Sequence, residues 1–435
     1  MSEQTPHTIE RHCDVAIIGG SAAGLAGALQ LGRMRRSVIV VDARDPRNAP
    51  AGHMHSYLGH EGVTPADFSA IARAEVRSYG GEVLSGRATS VRSIDNSRFR
   101  IELTGGHAII ARRVLAATGV IDELPSIDGL AQHWGGAVLH CPFCHGYEVR
   151  DQRIVQIVTH PMGLHPAQLF QQLSGQFSLV IHGGVDVDNP DVEMLRAAGA
   201  NVINGQVDRI ISLDDGRLGS VELTNGTVID ADAVVVSTRF RPRIEAFAEL
   251  GPATTEHPSG LGEVISRDQS GETSVPGLYA AGNLVDPSQQ VLHAAADGSR
   301  VGGMISFSLA RSDIEAATLT SANQVDWDQR YSGASIWSGN PNGTLVTEAT
   351  GMATGRALDV GAGEGGDSVW LAEQGWEITA VDVSQRAVDQ ITEVATERSL
   401  SIESVRADAN AVNPFGGERF DLVTAHYASV PRTPD

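Results

Sequence analysis

Cys13-Asp14-Val15-Ala16-Ile17-Ile18-Gly19-Gly20-Ser21-Ala22-Ala23-Gly24 is the stretch that decides the fold. Its first six residues are mostly apolar and lean towards β-branched types, as in a buried parallel strand. A glycine-rich turn follows, then a helical pattern through Leu31. Ser37 to Val41 forms a second apolar strand ending in Asp42. Strand, glycine turn, helix, strand and acid in that order make a dinucleotide cradle. The glycines let the backbone approach a pyrophosphate, the helix N-terminus faces its charge, and the acid accepts ribose hydroxyls. Ser21 stands where the middle glycine is usual. A glycine pattern alone is weak evidence, but this context with Asp42 at the right distance is specific. Cys13 reads as a small buried hydrophobe.

A chain of 435 residues has room for about two to three domains. Its 41% apolar and 20% charged residues are those of a globular protein with ample core. The net charge of −21 argues against nucleic acid or an anionic membrane as partner, since both demand basic patches. Met1 to Asp14 is polar and no run is long enough to span a bilayer, so a cytoplasmic location is the expectation.

The second informative stretch is His140-Cys141-Pro142-Phe143-Cys144-His145-Gly146-Tyr147-Glu148. Three cysteines do not make a disulfide framework. In a reducing compartment a C-x-x-C pair is more often catalytic or metal-binding. Exchange chemistry needs one thiolate to attack and a second thiol to resolve the mixed disulfide. A zinc site would need a second ligand pair, and no other C-x-x-C exists. His53 and His55 lie in the loop Arg47 to His55. They read as loop histidines, with contact to the bound dinucleotide or to a substrate as the alternative; a metal there lacks a third ligand.

Val114 to Gly119 reads as a strand ending in Ala117-Thr118-Gly119. Further on comes Ser274-Val275-Pro276-Gly277-Leu278-Tyr279-Ala280-Ala281-Gly282-Asn283. With the opening turn and the C-x-x-C, these segments resemble the low-molecular-weight thioredoxin reductases over about residues 12–315. The resemblance implies an α/β fold with two Rossmann-like dinucleotide-binding domains, one inserted in the other. The outer, FAD-binding domain would take 11–128 and 251–316, and the inserted C-x-x-C domain 129–250. FAD would be held by Gly19, Gly20, Ser21, Gly24, Asp42, Asn48, Gly119, Gly282, Asn283, Gln290 and Val291. The family usually has Asp at the position of Asn283, and an amide can still bond a ribityl hydroxyl. A homodimer is implied by the family alone.

The inserted domain departs from the family. Its nucleotide turn reads Val158-Thr159-His160-Pro161-Met162-Gly163-Leu164, with Val158 and His160 where two glycines belong. A Cβ there blocks the tight turn and the close pyrophosphate approach. Asp186, Asp188 and Asp191 stand where a basic cluster for a 2′-phosphate is expected. Both changes argue against ready use of NADPH. They point to a subgroup with C-x-x-C-H-G-[YW]-E, the FAD-dependent dithiol oxidases of the gliotoxin and holomycin types. That resemblance implies a small-molecule dithiol substrate and oxygen as acceptor. Cys141 would meet the substrate, Cys144 would face the flavin, and His145 would manage the proton; a structural loop histidine is the bland alternative for His145. Two other readings stand beside it. One is an NAD(P)H-dependent reductase of a disulfide, with a thioredoxin-like protein as partner. The other is a non-enzymatic redox sensor.

Asp214-Asp215-Gly216 signals a hairpin, and Ala316 to Asn323 reads as a linker. Residues 317–345, with Trp327, Tyr331 and Trp337, lead into a third segment, 346–435. Asp359-Val360-Gly361-Ala362-Gly363-Glu364-Gly365 is a strand running into a D-x-G-x-G-x-G turn. This resembles a class I methyltransferase using S-adenosylmethionine. The implied binding residues are Asp359, Gly361, Gly363, Asp382 by the ribose and Asp408 by the adenine. That fold needs seven strands and about four are present by Asp435. The expectation is therefore a partial Rossmann-like domain with vestigial methyl transfer at most.

Overall fold

The computed structural model describes residues 9–95, 97–333, 335–336, 338–409 and 418–426. Residues 1–8 of the polar N-terminal stretch, and Trp337, lie outside them. The chain divides into two compact units, Met1–Phe307 and Ser308–Asp435. Among the described residues no helix is long and apolar enough to cross a membrane.

Unit one opens with β1 (Glu10–Ile18), α1 (Ala22–Arg33) and β2 (Val38–Asp42). Then come α2 (Pro65–Ser78), β3 (Glu82–Ser85), β4 (Ala88–Ser93), β5 (Phe99–Leu103) and β6 (Ala108–Ala116). The sheet order is β3-β2-β1-β6-β5-β4. Strands β1, β2, β3 and β6 run parallel, and Val15 to Ile18 are at most 5% exposed. Val15, Ile17 and Ile18 each contribute about 1.5–3 kcal/mol by burial. Strand β6 is long enough to share one edge: β5 pairs antiparallel along its first half, and a later strand pairs parallel along Val114–Ala116.

Strand β7 (Val120–Glu123) leads into the inserted half. There follow β8 (Val138–Leu139), the single turn α3 (Pro142–His145), β9 (Ile154–Val158), α4 (Leu164–Leu173), β10 (Phe177–Ile181), α5 (Pro190–Ala197) and β11 (Asn201–Asn204). Next is the sheet β12 (Val207–Ser212), β13 (Leu218–Leu223) and β14 (Val228–Asp230), then β15 (Ala233–Val236) and β16 (Arg239–Pro242). The parallel sheet has the order β11-β10-β9-β15-β8, so β10, β9 and β15 are its interior strands. The hairpin expected at Asp214–Gly216 joins β12 to β13, with Gly216 at φ +83°. Strand β16 returns antiparallel to β7. The chain then adds β17 (Thr254–Glu256), β18 (Glu263–Ile265) and β19 (Leu278–Ala280), the last being the strand on β6.

Helix α6 runs from Val291 to Arg330. This corrects the linker expected at Ala316–Asn323. Small, polar composition suggested a loop, yet no Gly or Pro falls between Gly303 and Gly333, so nothing interrupts the helix. The division between units falls inside it.

Unit two continues with α7 (Gly343–Ala349), β20 (Arg356–Val360), α8 (Gly366–Glu373), β21 (Glu377–Asp382), α9 (Gln385–Arg398), β22 (Ile402–Arg406) and β23 (Leu422–Thr424). Among the described residues its sheet has four parallel strands, β22-β21-β20-β23. Leu345, Leu371, Trp376, Ile378 and Ile391 fill its core.

Candidate active site: a cavity between a nucleotide cradle and a CxxC disulfide

One cavity of about 980 Å³ runs through unit one from the β1–α1 turn to Cys141 and Cys144. Gly19, Gly20, Ser21, Asp42, Asn48, Gly119, Asn283, Gln290 and Val291 all line it. Gly24 and Gly282 do not. An added Cβ on Gly24 would collide with the Gly19 carbonyl, so its lack of a side chain serves turn-to-helix packing. Gly282, at φ +75°, faces Ala23 and donates its N–H to Asp297 (2.9 Å). Arg267 holds the other oxygen of Asp297 (2.8 Å) and also caps Ala280 O (2.7 Å), which fixes the end of β19.

The cradle suits an ADP-like ligand. Gly19 has φ +119°, and a Cβ there would strike the Ala117 carbonyl. On Gly20 a Cβ would strike the Asp42 carboxylate, so only glycine leaves the acid open beside the turn. Asp42 accepts from Arg44 N (2.8 Å) and pairs with Arg73 (2.9 Å), so one carboxylate is already oriented at the cavity wall. The residues present therefore fit FAD, with space for its length.

At the other end Cys141 and Cys144 are joined as a disulfide, with Cα atoms 5.3 Å apart. Pro142 starts the helical turn α3 between them, and Phe143 projects outward, 65% exposed. Gln290 Nε2 lies 3.9 Å from Cys144 Sγ. His145 lines the same cavity. Burial first and then neighbouring His55 push its pKa down, with Glu148 opposing.

His53 and His55 both lie in the loop before α2, and His55 makes contacts the sequence did not show. Its ring meets His145 edge-on, with centroids 6.2 Å apart. Glu61 Oε1 is 2.6 Å from its Nδ1, and Glu148 Oε1 is 3.5 Å from its Nε2. Sequence spacing could not show this, because the partner is ninety residues away. His53 also lines the cavity. Among the described residues no cluster of ligating groups could hold a metal ion.

Sequence reasoning also missed His140 and the group behind it. Trp134 stacks on the His140 ring at 5.5 Å. Burial, reinforced by Arg47 and opposed by Asp122, pushes His140 down to about 4, so it is neutral at pH 7. Arg47 grips Asp122 with two bonds of 2.6 and 2.7 Å, and Thr238 donates to the same carboxylate (2.9 Å). Burial opposes ionisation of Asp122, but the Arg47 pair outweighs it and holds the carboxyl below its usual range. The one available signal was position, since Arg47 adjoins Asn48 in a loop already assigned to the cavity.

In the inserted half, the β9–α4 turn closes on itself. Residues 161–163 form a 3-10 turn, His160 Nδ1 accepts from Met162 N (3.3 Å), and Gly163 N donates to His160 O (2.8 Å).

In unit two, Gly361, Gly363 and Gly365 have φ of +70°, +52° and +83°. Asp382 accepts from Gly363 N and Ser384 N, both at 2.9 Å. Asp359 is buried and bonded by Ser368 Oγ (2.6 Å), and burial pushes its carboxyl up to about 6. Gly361 directly follows β20, Asp382 ends β21, and Asp408 lies two residues past β22. All three therefore sit at the carboxyl edge of the sheet, where open α/β sheets bind ligands.

Two nucleotide-type sheets sharing one cavity with a C-x-x-C disulfide define a disulfide oxidoreductase built on dinucleotide-binding folds. The family profile of the pyridine nucleotide-disulphide oxidoreductases matches residues 13–298, and the chain belongs to that family. Membership implies an FAD flavoprotein. A methyltransferase-domain profile matches residues 357–435. The thioredoxin reductase sirT of Leptosphaeria maculans is 29% identical over 319 residues, 70% of this chain and 96% of that protein. The crystal structure of HlmI is 38% identical with a TM-score of 0.66, covering 74% of this chain and 98% of HlmI. An oxidoreductase from Agrobacterium tumefaciens is 34% identical with a TM-score of 0.64, over 69% of this chain and 99% of that one.

Proposed function

We propose that this protein oxidises a small-molecule dithiol to a disulfide through Cys141 and Cys144, with FAD as electron carrier and oxygen as final acceptor. The observation that carries this reading is the β9–α4 turn. A reductase of this architecture draws electrons from a pyridine nucleotide bound there. Here Val158 and His160 replace the glycines, and His160 takes the N–H groups of Met162 and Gly163 that a pyrophosphate would need.

The chain's own residues then act as follows. A substrate thiol gives its proton to His145, whose lowered pKa keeps the ring unprotonated and free to accept it near pH 7. The thiolate attacks Cys141 Sγ, the Cys141–Cys144 bond breaks, and Cys144 leaves as a thiolate. The second substrate thiol then attacks the substrate sulfur of the mixed disulfide, and its proton passes to Cys141 Sγ as that sulfur leaves, which releases the oxidised product. The glycine turn, Asp42 and Asn48 would hold FAD. When bound there, FAD would supply a two-electron acceptor for the reduced Cys141–Cys144 pair.

The deciding experiment is anaerobic. The yellow protein is mixed with NADPH and, separately, with dithiothreitol. Bleaching by dithiothreitol alone, with colour regained in air, is expected. Rapid bleaching by NADPH overturns the reading in favour of a reductase.

For unit two we infer an S-adenosylmethionine site at Gly361–Gly365 with Asp382 and Asp408, supported by their shared sheet edge. Equilibrium dialysis with labelled S-adenosylmethionine tests it; no retention at millimolar ligand overturns it.

A further inference from the structure

Asn283 stands just past β19, where the resemblance expects Asp. Its side-chain amide donates to two backbone carbonyls, Asp286 O (3.1 Å) and Gln289 O (2.9 Å). Arg47 Nη1 caps a carbonyl between them, Pro287 O (2.6 Å). The Asp286 carboxylate draws the loop in by accepting from Ser288 N (2.9 Å) and Ser288 Oγ (2.6 Å). Residues 286–290 thus form a strap pinned by two side chains. At its end Gln290 Nε2 lies 3.9 Å from Cys144 Sγ. A carboxylate at position 283 has no proton to donate at neutral pH, so it would face the two carbonyls and repel them.

We propose that Asn283 is a positioning residue for the redox pair: it pins the strap so that Gln290 Nε2 stays against Cys144 Sγ and stabilises the thiolate formed there. The moment of action is the opening of the disulfide. A thiolate attacks Cys141 Sγ, the electron pair of the Cys141–Cys144 bond moves onto Cys144 Sγ, and no proton is needed at that sulfur. A donor aimed at the new anion makes a charge-assisted bond that is stronger than a neutral one. The inference rests on the proposed exchange, in which Cys144 is the leaving sulfur. Other titratable and charged groups around this end of the cavity include His140 and His145 flanking the cysteines, His53 and His55 from the loop before α2, Glu148 beside His55, the Arg47–Asp122 pair, and Asp286 on the strap with His257 3.9 Å from its carboxylate.

The test measures Cys144 as a thiol in full-length, flavin-loaded protein. Cys141→Ser leaves it as the reactive cysteine, because burial pushes Cys13 up to about 12. Iodoacetamide alkylation is followed from pH 5 to 9. Losing one weak donor to a thiolate raises its pKa by about half to one unit, so alkylation at pH 7 should slow about three- to tenfold in Asn283→Asp and in Gln290→Met. The two changes together should be no slower than Gln290→Met alone, since both remove the same contact. An unchanged rate in Asn283→Asp overturns the proposal. So does an additive effect of the two changes, which would mark a plain charge effect of the new carboxylate. Asn283→Ala removes the donors without adding charge and serves if the Asp variant does not fold. Bleaching by NADPH would sink the oxidase reading and leave these rates as they are, so the two failures are distinguishable.

Discussion

Replacing Arg47 by Met should destabilise unit one in a way that depends on pH. Arg47 and Asp122 are 19% and 8% exposed at their side chains, and they meet through two short bonds. Met keeps much of the apolar stem and removes the charge. Asp122 is then left buried with Thr238 as its remaining side-chain donor. Breaking one side of such a pair costs about 3–5 kcal/mol. For a unit of this size that is a fall in Tm of about 5–8 °C at pH 7.5. In the parent protein the Asp122 pKa is depressed, so the pair stabilises above the unfolded value and its contribution is lost as pH falls through the folded one. In the variant, burial acts unopposed and raises the pKa. The penalty therefore holds at neutral pH and shrinks as pH falls through that raised pKa towards the unfolded value of about 4. Circular dichroism melts at pH 7.5 and 4.5 measure both gaps. Adding Asp122→Asn should recover part of the loss at pH 7.5, because no buried charge is left. A shift under about 2 °C at pH 7.5, or an equal gap at both pH values, would refute the reasoning.

Gly19→Ala places a side chain at φ +119° and against the Ala117 carbonyl. A strain of about 1–3 kcal/mol should weaken FAD binding roughly 5- to 150-fold, read from flavin absorbance after dialysis. His145→Gln should slow dithiothreitol-driven bleaching about 10²–10⁴-fold in stopped flow, and a loss below threefold would remove His145 as the base. His55→Gln lifts a charge effect that lowers the His145 pKa, so the acidic limb of the pH–rate profile should move to higher pH; an unmoved limb would show that the ring pair has no functional coupling. Asp359 has its pKa raised to about 6, so its burial costs stability that appears as pH rises from the unfolded value of about 4 through 6. Asp359→Asn should therefore stabilise unit two by up to about 3 kcal/mol at pH 7.5 and little at pH 4, by urea unfolding.

Local order was legible in the chain. The β1–α1–β2 cradle, the hairpin at Asp214–Gly216 and the strand–turn at Asp359–Gly365 each lie within a few residues of sequence, where spacing, turn chemistry and period act directly. Helix α6 was misjudged past Ala316 because polarity suggested a loop, while the absence of Gly and Pro was the better guide. The cavity wall was only partly legible. Gly24 and Gly282 matched a glycine pattern, yet they serve backbone packing behind the wall. His140 adjoins Cys141 and was visible, but its neutrality comes from burial and from Arg47, ninety-three residues earlier.

The β2–α2 loop explains why the rest was hidden. It carries neither helix nor strand, so period and propensity say nothing about it. Its side chains nevertheless reach three distant parts of the cavity. Arg47 reaches Asp122 and Pro287, His55 reaches His145, and Ser56 Oγ donates to Phe143 O (3.3 Å). Each contact joins residues more than seventy positions apart, and each fixes a group near the disulfide. Turn and loop should therefore fail differently. Damage at Gly19 should act on FAD affinity alone and leave Cys144 reactivity intact in protein saturated with FAD. Damage at Arg47 should alter Cys144 reactivity even with FAD bound, because it frees one of the two pins on the strap that carries Gln290. Saturating Arg47→Met with FAD and finding its Cys144 alkylation rate identical to the parent would separate the loop from the redox chemistry.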